Sequence, residues 1–330
     1  MSILFLCSFY ITHTTAQNKQ DTQEYAIMTY NVENLFDTND DEGFNDEDFT
    51  PQGKYHWTNK LLRKKVGQIA KVIATANKWN PPVVVGLCEV ENDNVLKYLT
   101  KGSPLKNLKY NFIHFDSPDP RDIDVALLYR HELFTPITTQ VMAATDKTCD
   151  YTTRDILYVS GKLANDTIHI FMCHFPSRSK GEAFTEPRRM KAAGIVRHAV
   201  DSIWQTNKLA KIIIMGDFND YPTNRSVTEA LKAGAPTESP EQNTLYDLCY
   251  PLQQNPNLGS YNFRQEWGML DHIIISGTLL QKKSKLTTAN NNIYIYAPEW
   301  ILESDGKEGY RPFRTFYGTS YHGGYSDHLP

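Results

Sequence analysis

No apolar run in the 330-residue chain approaches the about 20 residues a membrane-spanning helix needs, so no stable membrane span is expected. Cysteine is scarce. Its five residues match no zinc-ligand spacing, and they are too few in a chain of this length to build a disulfide scaffold. Basic charge is not in excess either: 34 Lys and Arg face 38 Asp and Glu, for a net charge of −4, which excludes a simple basic coat for nucleic acid. Neither internal repeats nor low-complexity linkers occur, so a collagen-like, repetitive or largely disordered protein is ruled out. One folded domain over residues 17–330 is the expectation.

The apolar stretch Ile3–Ile11, followed by small polar residues up to Ala16, fits the core of a secretory signal peptide. Cleavage after Ala16 would leave Gln17 at the N-terminus and place the protein outside the cell or in the periplasm. The competing reading is a buried N-terminal strand. Cys88 and Cys173 lie in apolar runs and read as buried, inert thiols, whereas Cys149 and Cys249 could pair in an oxidising compartment. Seven acids, Asp37, Asp40, Asp41, Glu42, Asp46, Glu47 and Asp48, cluster with no Lys or Arg among them. Without them the remainder is mildly basic, so a polyanionic substrate stays open. The segment lacks EF-hand spacing, and a solvated surface loop is expected in preference to a calcium loop.

Short runs rich in Val and Ile predict strands at Tyr25–Tyr30, Val83–Cys88, Asp124–Tyr129, Asp155–Leu163, Ile168–Cys173, Lys211–Gly216 and Leu270–Ser276. Two stretches have helical periodicity. Leu62, Val66, Ile69, Ile73 and Ala76 follow Thr58 as N-cap, and Ala193, Val196, Val200 and Ile203 mark a helix from Arg188 to about Asn207. Strands this continuously apolar belong to sheets covered on both faces. With so few helices, the economical arrangement is an α+β fold of two sheets packed on each other, flanked by helices.

Polar residues stand at the strand ends. The runs meet Asn31, Glu89, His174, Asp217 with Asn219, and Asp271, and the chain closes on Ser326, Asp327 and His328. Rigid strand ends are where ligands gather. Carboxylates and amide oxygens without clustered Cys or His suit a hard divalent ion such as Mg²⁺, with Mn²⁺ or Ca²⁺ as substitutes, and not zinc.

The segments TYNVENLFDT, VVGLCEVEN, DIDVALLYR, CHFPSR with EPRR, IMGDFNDYP, SYNFRQEWGMLDHIIIS and YSDH resemble, in this order, the endonuclease/exonuclease/phosphatase superfamily. That is the DNase I-like fold of two packed, mostly antiparallel sheets flanked by helices; the Phe36–Trp57 stretch and the HFPSR–EPRR block look like a secreted bacterial branch. The resemblance implies Glu89 as the main metal ligand, with Asn31 and Asp327 beside it. Asp217 would orient or deprotonate water, and Asn219 would stabilise the transition state. His174 and His328 would hold or protonate the phosphate, leaning on Asp124 and Asp271 respectively. Phosphodiester hydrolysis needs those parts: neutralised oxygens, a nucleophile from water and a protonated leaving group.

Arg178, Arg188 and Arg189 are candidates for outer phosphate contacts, because a guanidinium fork matches phosphate oxygens. Tyr261 and Trp267 are candidate cleft walls, and Lys282, Lys283 and Lys285 form a basic cluster. Two departures stand out. Cys173 precedes His174 where relatives often carry Asn, and the chain ends at Pro330 where relatives continue into a closing strand, which predicts a frayed C-terminus or a longer native product. The resulting expectation is a monomeric, secreted, metal-dependent phosphoester hydrolase, foremost an endonuclease on DNA or RNA. An inositol-phosphate phosphatase or sphingomyelinase-type esterase is the alternative, and a non-catalytic binding module on the same fold is the alternative of another class.

Overall fold

Alternate residues of the apolar runs face different neighbours, which is why the runs are unbroken. The computed structural model describes residues 23–78, 80–145, 151–282, 284–307 and 309–330. Its first half runs β1 (Ile27–Leu35), α1 (Asn59–Thr75), β2 (Val84–Val90), α2 (Asp93–Lys101), β3 (Tyr110–His114), β4 (Asp124–Arg130), β5 (Phe134–Met142) and β6 (Ile156–Leu163). There follow β7 (Asp166–His174), α3 (Glu182–Thr206), β8 (Lys211–Asp217), β9 (Ala233–Gly234), β10 (Leu245–Asp247), the hairpin β11 (Tyr261–Phe263) and β12 (Glu266–Gly268), and β13 (Asp271–Ser276). One sheet has the order β1-β2-β4-β3 and the other β5-β6-β7-β8-β13-β10-β9. Pairing is antiparallel except at β1–β2, β7–β8 and β9–β10.

Ile213 and Met215 of β8 meet Val84 and Cys88 of β2 and Leu127 of β4 between the sheets. Ile212 and Ile214, on the other face of the same strand, pack against Ala193, Val196 and Val200 of α3. Val85 and Leu87 of β2 turn outward to Ile69, Ile73 and Leu96 of α1 and α2. Each fully buried Val, Leu, Ile or Met side chain among them contributes about 1.5–3 kcal/mol. At Gly86 the sheets approach so closely that a Cβ would lie 2.3 Å from the Met172 sulfur. This is the expected α+β architecture.

All seven strands stand where the sequence placed them. The helix α1 starts after Thr58, whose side chain accepts from the Leu61 N–H. Its partner α3 begins at Glu182, ahead of the expected Arg188, because it accommodates Pro187, which in sequence reads as a helix boundary. The short α2, capped by Asn92, was not anticipated, nor was β5, a mostly exposed edge strand containing Pro136. No helix among the described residues is long and apolar enough to cross a membrane.

Two expectations need correction. The acidic segment is a solvated loop only in part: Asp40, Glu42 and Glu47 are exposed, but Asp37 and Asp46 are buried, and just beyond the segment Phe49 stacks on Phe36 at 4.1 Å and on Tyr55 at 4.6 Å, holding the loop against the core. Nor is the C-terminus frayed. The Leu329 N–H donates to Ser260 O at 2.7 Å, Tyr296 N–H donates to Pro330 O at 2.8 Å, and His328 bridges Tyr261 of β11. Cys88, Cys173 and Cys249 are buried thiols. Cys149, Lys283 and the Ile3–Ile11 stretch lie outside the described residues.

Candidate active site

The register of the larger sheet sets His174 beside Asp217 and Asp217 beside Asp271, on the adjacent strands β7, β8 and β13. Gly216, at φ 135°, lets β8 pass so close to β7 that a Cβ there would strike the Cys173 carbonyl. The smaller sheet supplies Asn31 from β1 and Glu89 from β2. Glu89 is the unpaired residue of a bulge between Cys88↔Val125 and Val90↔Asp124, with φ 65°. A left-handed non-glycine residue costs about 1–3 kcal/mol and is found where the surroundings fix it. Here the Asn34 N–H does so, donating to Glu89 Oε2 at 3.0 Å.

Asp217 Oδ2 is the hub. Asn31 Nδ2 donates to it at 3.1 Å and also reaches Glu89 Oε1 at 3.2 Å, so Asn31 links the two acids while its own Oδ1 accepts from the Glu33 N–H. His174 Nε2 lies 3.6 Å and His328 Nε2 3.9 Å from the same oxygen. Asp217 Oδ1 accepts from the Asn219 N–H at 2.8 Å, and Asn219 Nδ2 donates to Phe175 O. His328 Nδ1 lies 2.6 Å from Asp271 Oδ2.

The two imidazoles differ in charge. Burial works against the His328 cation, but Asp271, Asp217 and Asp327 outweigh it and hold the ring protonated well above the usual histidine range. Burial, together with Arg154, Arg121 and His328, pushes His174 well below that range, so it is neutral. Burial also raises the Asp217 carboxyl to about 7, opposed by His328 and reinforced by Asp271.

Asp327 pairs with Arg314 Nη2 at 3.0 Å, and that guanidinium also faces Glu33. Ser326 Oγ donates to Asn31 O at 2.7 Å and accepts from the His328 N–H, tying the C-terminal segment to β1. Sequence reasoning missed Glu33, Arg314 and Ser326 as supports. Ser326 and Glu33 lie next to or near recognised residues in SDH and NVEN, but nothing local marked Arg314.

Three assignments change. Asp124 does not support His174: its carboxylate holds the Ser117 hydroxyl and N–H and lies 3.2 Å from His114 Nε2, while His174 Nδ1 is buried without a partner. The reason is position, because Asp124 opens β4 and faces the neighbouring β3. Arg189 is not an outer phosphate contact. Fully buried, it pairs with Asp220 at 2.8 Å and donates to Thr185 Oγ1 and Glu182 O. Arg188 lies over the Tyr151 ring, and Arg178 over Tyr221 with Glu182 beside it. Tyr261 does wall the cleft, its ring 4.8 Å from that of His328, whereas Trp267 packs on the core beneath the smaller sheet.

The donor set fits a hard divalent ion. Glu89 and Asp327 keep 17% and 20% of their side chains exposed, are all-oxygen donors, and have no thiol among them.

A sequence profile of the endonuclease/exonuclease/phosphatase family matches residues 26–330. The chain belongs to that family. No curated protein sequence matches it significantly. Among solved structures, a humanized D. rerio TDP2 is 16% identical with a TM-score of 0.52, covering 92% of this chain and 96% of that one. An endonuclease/exonuclease/phosphatase protein of Bacteroides vulgatus is 14% identical with a TM-score of 0.51, covering 76% and 86%. A Bacteroides thetaiotaomicron mannosyl-6-phosphatase is 17% identical with a TM-score of 0.50, covering 77% and 85%. These likenesses establish the DNase I-like fold. As a member of the endonuclease/exonuclease/phosphatase family, the protein is a phosphoester hydrolase.

Proposed function

We propose that the protein is an exported, divalent-metal-dependent phosphodiesterase whose substrate class is nucleic acid. The observation that carries the reading is the convergence of Asn31, His174 and His328 on one Asp217 oxygen, with Glu89 alongside. Glu89 and Asp327 would hold the ion, with Asn31 orienting Glu89; when bound, the ion supplies charge neutralisation at nonbridging phosphate oxygens. Asp217, steadied by the Asn219 N–H, positions a water for attack. Cationic His328 is oriented by Asp271 to stabilise phosphate charge or protonate the leaving oxygen, and neutral His174 lies beside Glu89 and Asp217.

The cleft rim favours nucleic acid. Exposed Phe263 carries Arg264 over its ring at 5.1 Å, on the hairpin whose Tyr261 touches His328. Exposed Tyr317 carries Arg311 and Arg314, and Arg314 reaches Asp327. Aromatic faces interleaved with guanidinium groups suit bases and phosphates. Removal of Arg189 from the phosphate contacts favours the second reading, a smaller phosphoester such as an inositol phosphate. Purified protein with Mg²⁺ should cleave plasmid DNA or RNA faster than inositol phosphates or sphingomyelin; the reverse order would displace nucleic acid. Export rests on Ile3–Ile11, and N-terminal sequencing of the extracellular or periplasmic product should read from Gln17.

A further inference from the structure

Behind Glu89, the buried end of the acidic loop meets two other segments. Asp41 and Asp46 from the loop after β1, Glu91 just past β2 and Asp122 just before β4 each bring one carboxylate oxygen within 4.8 Å of the others. Asp46, Glu91 and Asp122 are buried, at 0%, 1% and 5% exposure, and among the described residues none of the four carboxylates makes an ion pair with Lys, Arg or His.

Acids crowd together on many surfaces without consequence. Here the hydrogen bonding is specific. The Asp41 N–H anchors Asp46 Oδ2 at 3.0 Å, and the Asp37 N–H anchors Glu91 Oε2 at 2.6 Å. The other oxygen of each, Asp46 Oδ1 and Glu91 Oε1, is buried with no hydrogen-bond partner. A buried, unsatisfied carboxylate oxygen is costly unless something positive meets it.

We propose that Asp41, Asp46, Glu91 and Asp122 form a second divalent-cation site, suited to Ca²⁺, outside the catalytic cleft. Oxygen ligands at about 2.3–2.6 Å from Ca²⁺ span up to about 5 Å across the ion, which matches the spread of these donors, and a site made from three chain segments has the flexibility Ca²⁺ accepts. Burial and the neighbouring Asp124, Asp41 and Asp46 push the Asp122 carboxyl up to about 7, the crowding a cation would relieve. Bound there, the ion clamps the acidic loop to the ends of β2 and β4, the strand ends next to Glu89. The site does not depend on the hydrolase reading.

The test is the full chain, stripped with chelator and then melted and titrated calorimetrically with CaCl₂ or MgCl₂. Saturating Ca²⁺ should raise the melting temperature by about 5 °C. Glu89→Gln should keep that shift, while Asp46→Asn and Asp122→Asn should lose it and bind Ca²⁺ at least tenfold more weakly. No shift in the parent, or a shift lost in Glu89→Gln, would overturn the proposal. Equal or stronger stabilisation by Mg²⁺ would overturn the assignment to calcium. Should Asp46→Asn fail to fold, Asp122→Asn and the comparison of parent with Glu89→Gln still decide.

Discussion

His328 Nδ1 lies 2.6 Å from Asp271 Oδ2, whereas the Nδ1 of the other cleft imidazole, His174, is buried without a partner. One histidine is thereby held cationic and oriented, and the other is neutral. Asp271 sits directly across the sheet from Asp217, so a single pair of strands positions both the acid proposed to handle water and the acid that contacts His328. Asp271→Asn should therefore lower kcat on the order of 10²-fold with the circular-dichroism spectrum unchanged. An unaltered kcat would separate Asp271 from the chemistry.

Asp124 should behave in the opposite way. It secures His114 and Ser117, so Asp124→Asn is expected to lower stability by about 1–3 kcal/mol and leave kcat nearly intact. Urea melts and steady-state kinetics on the same preparation check both. A loss of activity matching that of His174→Ala, at unchanged stability, would restore the His174–Asp124 pairing.

Arg189→Ala leaves Asp220 as a buried charge without its partner, at a cost of about 3–5 kcal/mol. Chemical denaturation should record that loss. A raised KM at normal stability would instead mark Arg189 as a substrate contact.

These corrections show what local sequence carries. The polar residues that close apolar runs were legible because β7 and β8 stop being apolar at their last residues, His174 and Asp217, whereas β1 and β2 run on past Asn31 and Glu89 to Leu35 and Val90. Two-sided apolarity likewise gave the packed sheets. Long-range pairing was not legible: nothing near Asp124 says it meets His114 on β3, and nothing near Arg189 says it turns inward to Asp220. The bulge that aims Glu89 leaves no residue signature, and the Asn34 N–H that holds its carboxylate comes from the neighbouring strand. The acidic loop misled because its charges outnumber the single Phe49 that anchors it.

A buried pair outside the cleft sets a pH dependence of stability. His272 Nδ1 meets Asp247 Oδ2 at 2.7 Å and its Nε2 faces Asp220 O at 2.9 Å, so both nitrogens donate and the ring is charged. Burial opposes that charge, but Asp247 and the Asp220 carbonyl outweigh it, and the folded-state value is raised above the unfolded one of about 6.5. Its stabilisation is thus complete below about pH 6.5 and is lost as pH rises through the folded value. The gap in urea midpoint between the parent and His272→Gln should be largest near pH 5 and shrink toward pH 9. A gap that widens with pH would show that the ring is buried neutral.

The most direct test of the central claim is phosphodiester hydrolysis by the parent, Glu89→Gln and Asp217→Asn, each with Mg²⁺ and with excess chelator. The account predicts activity in the parent with Mg²⁺ only, and a loss on the order of 10²-fold or more in both variants while their folded spectra persist. Full activity of the parent in chelator, or a folded Glu89→Gln protein as active as the parent, would contradict it.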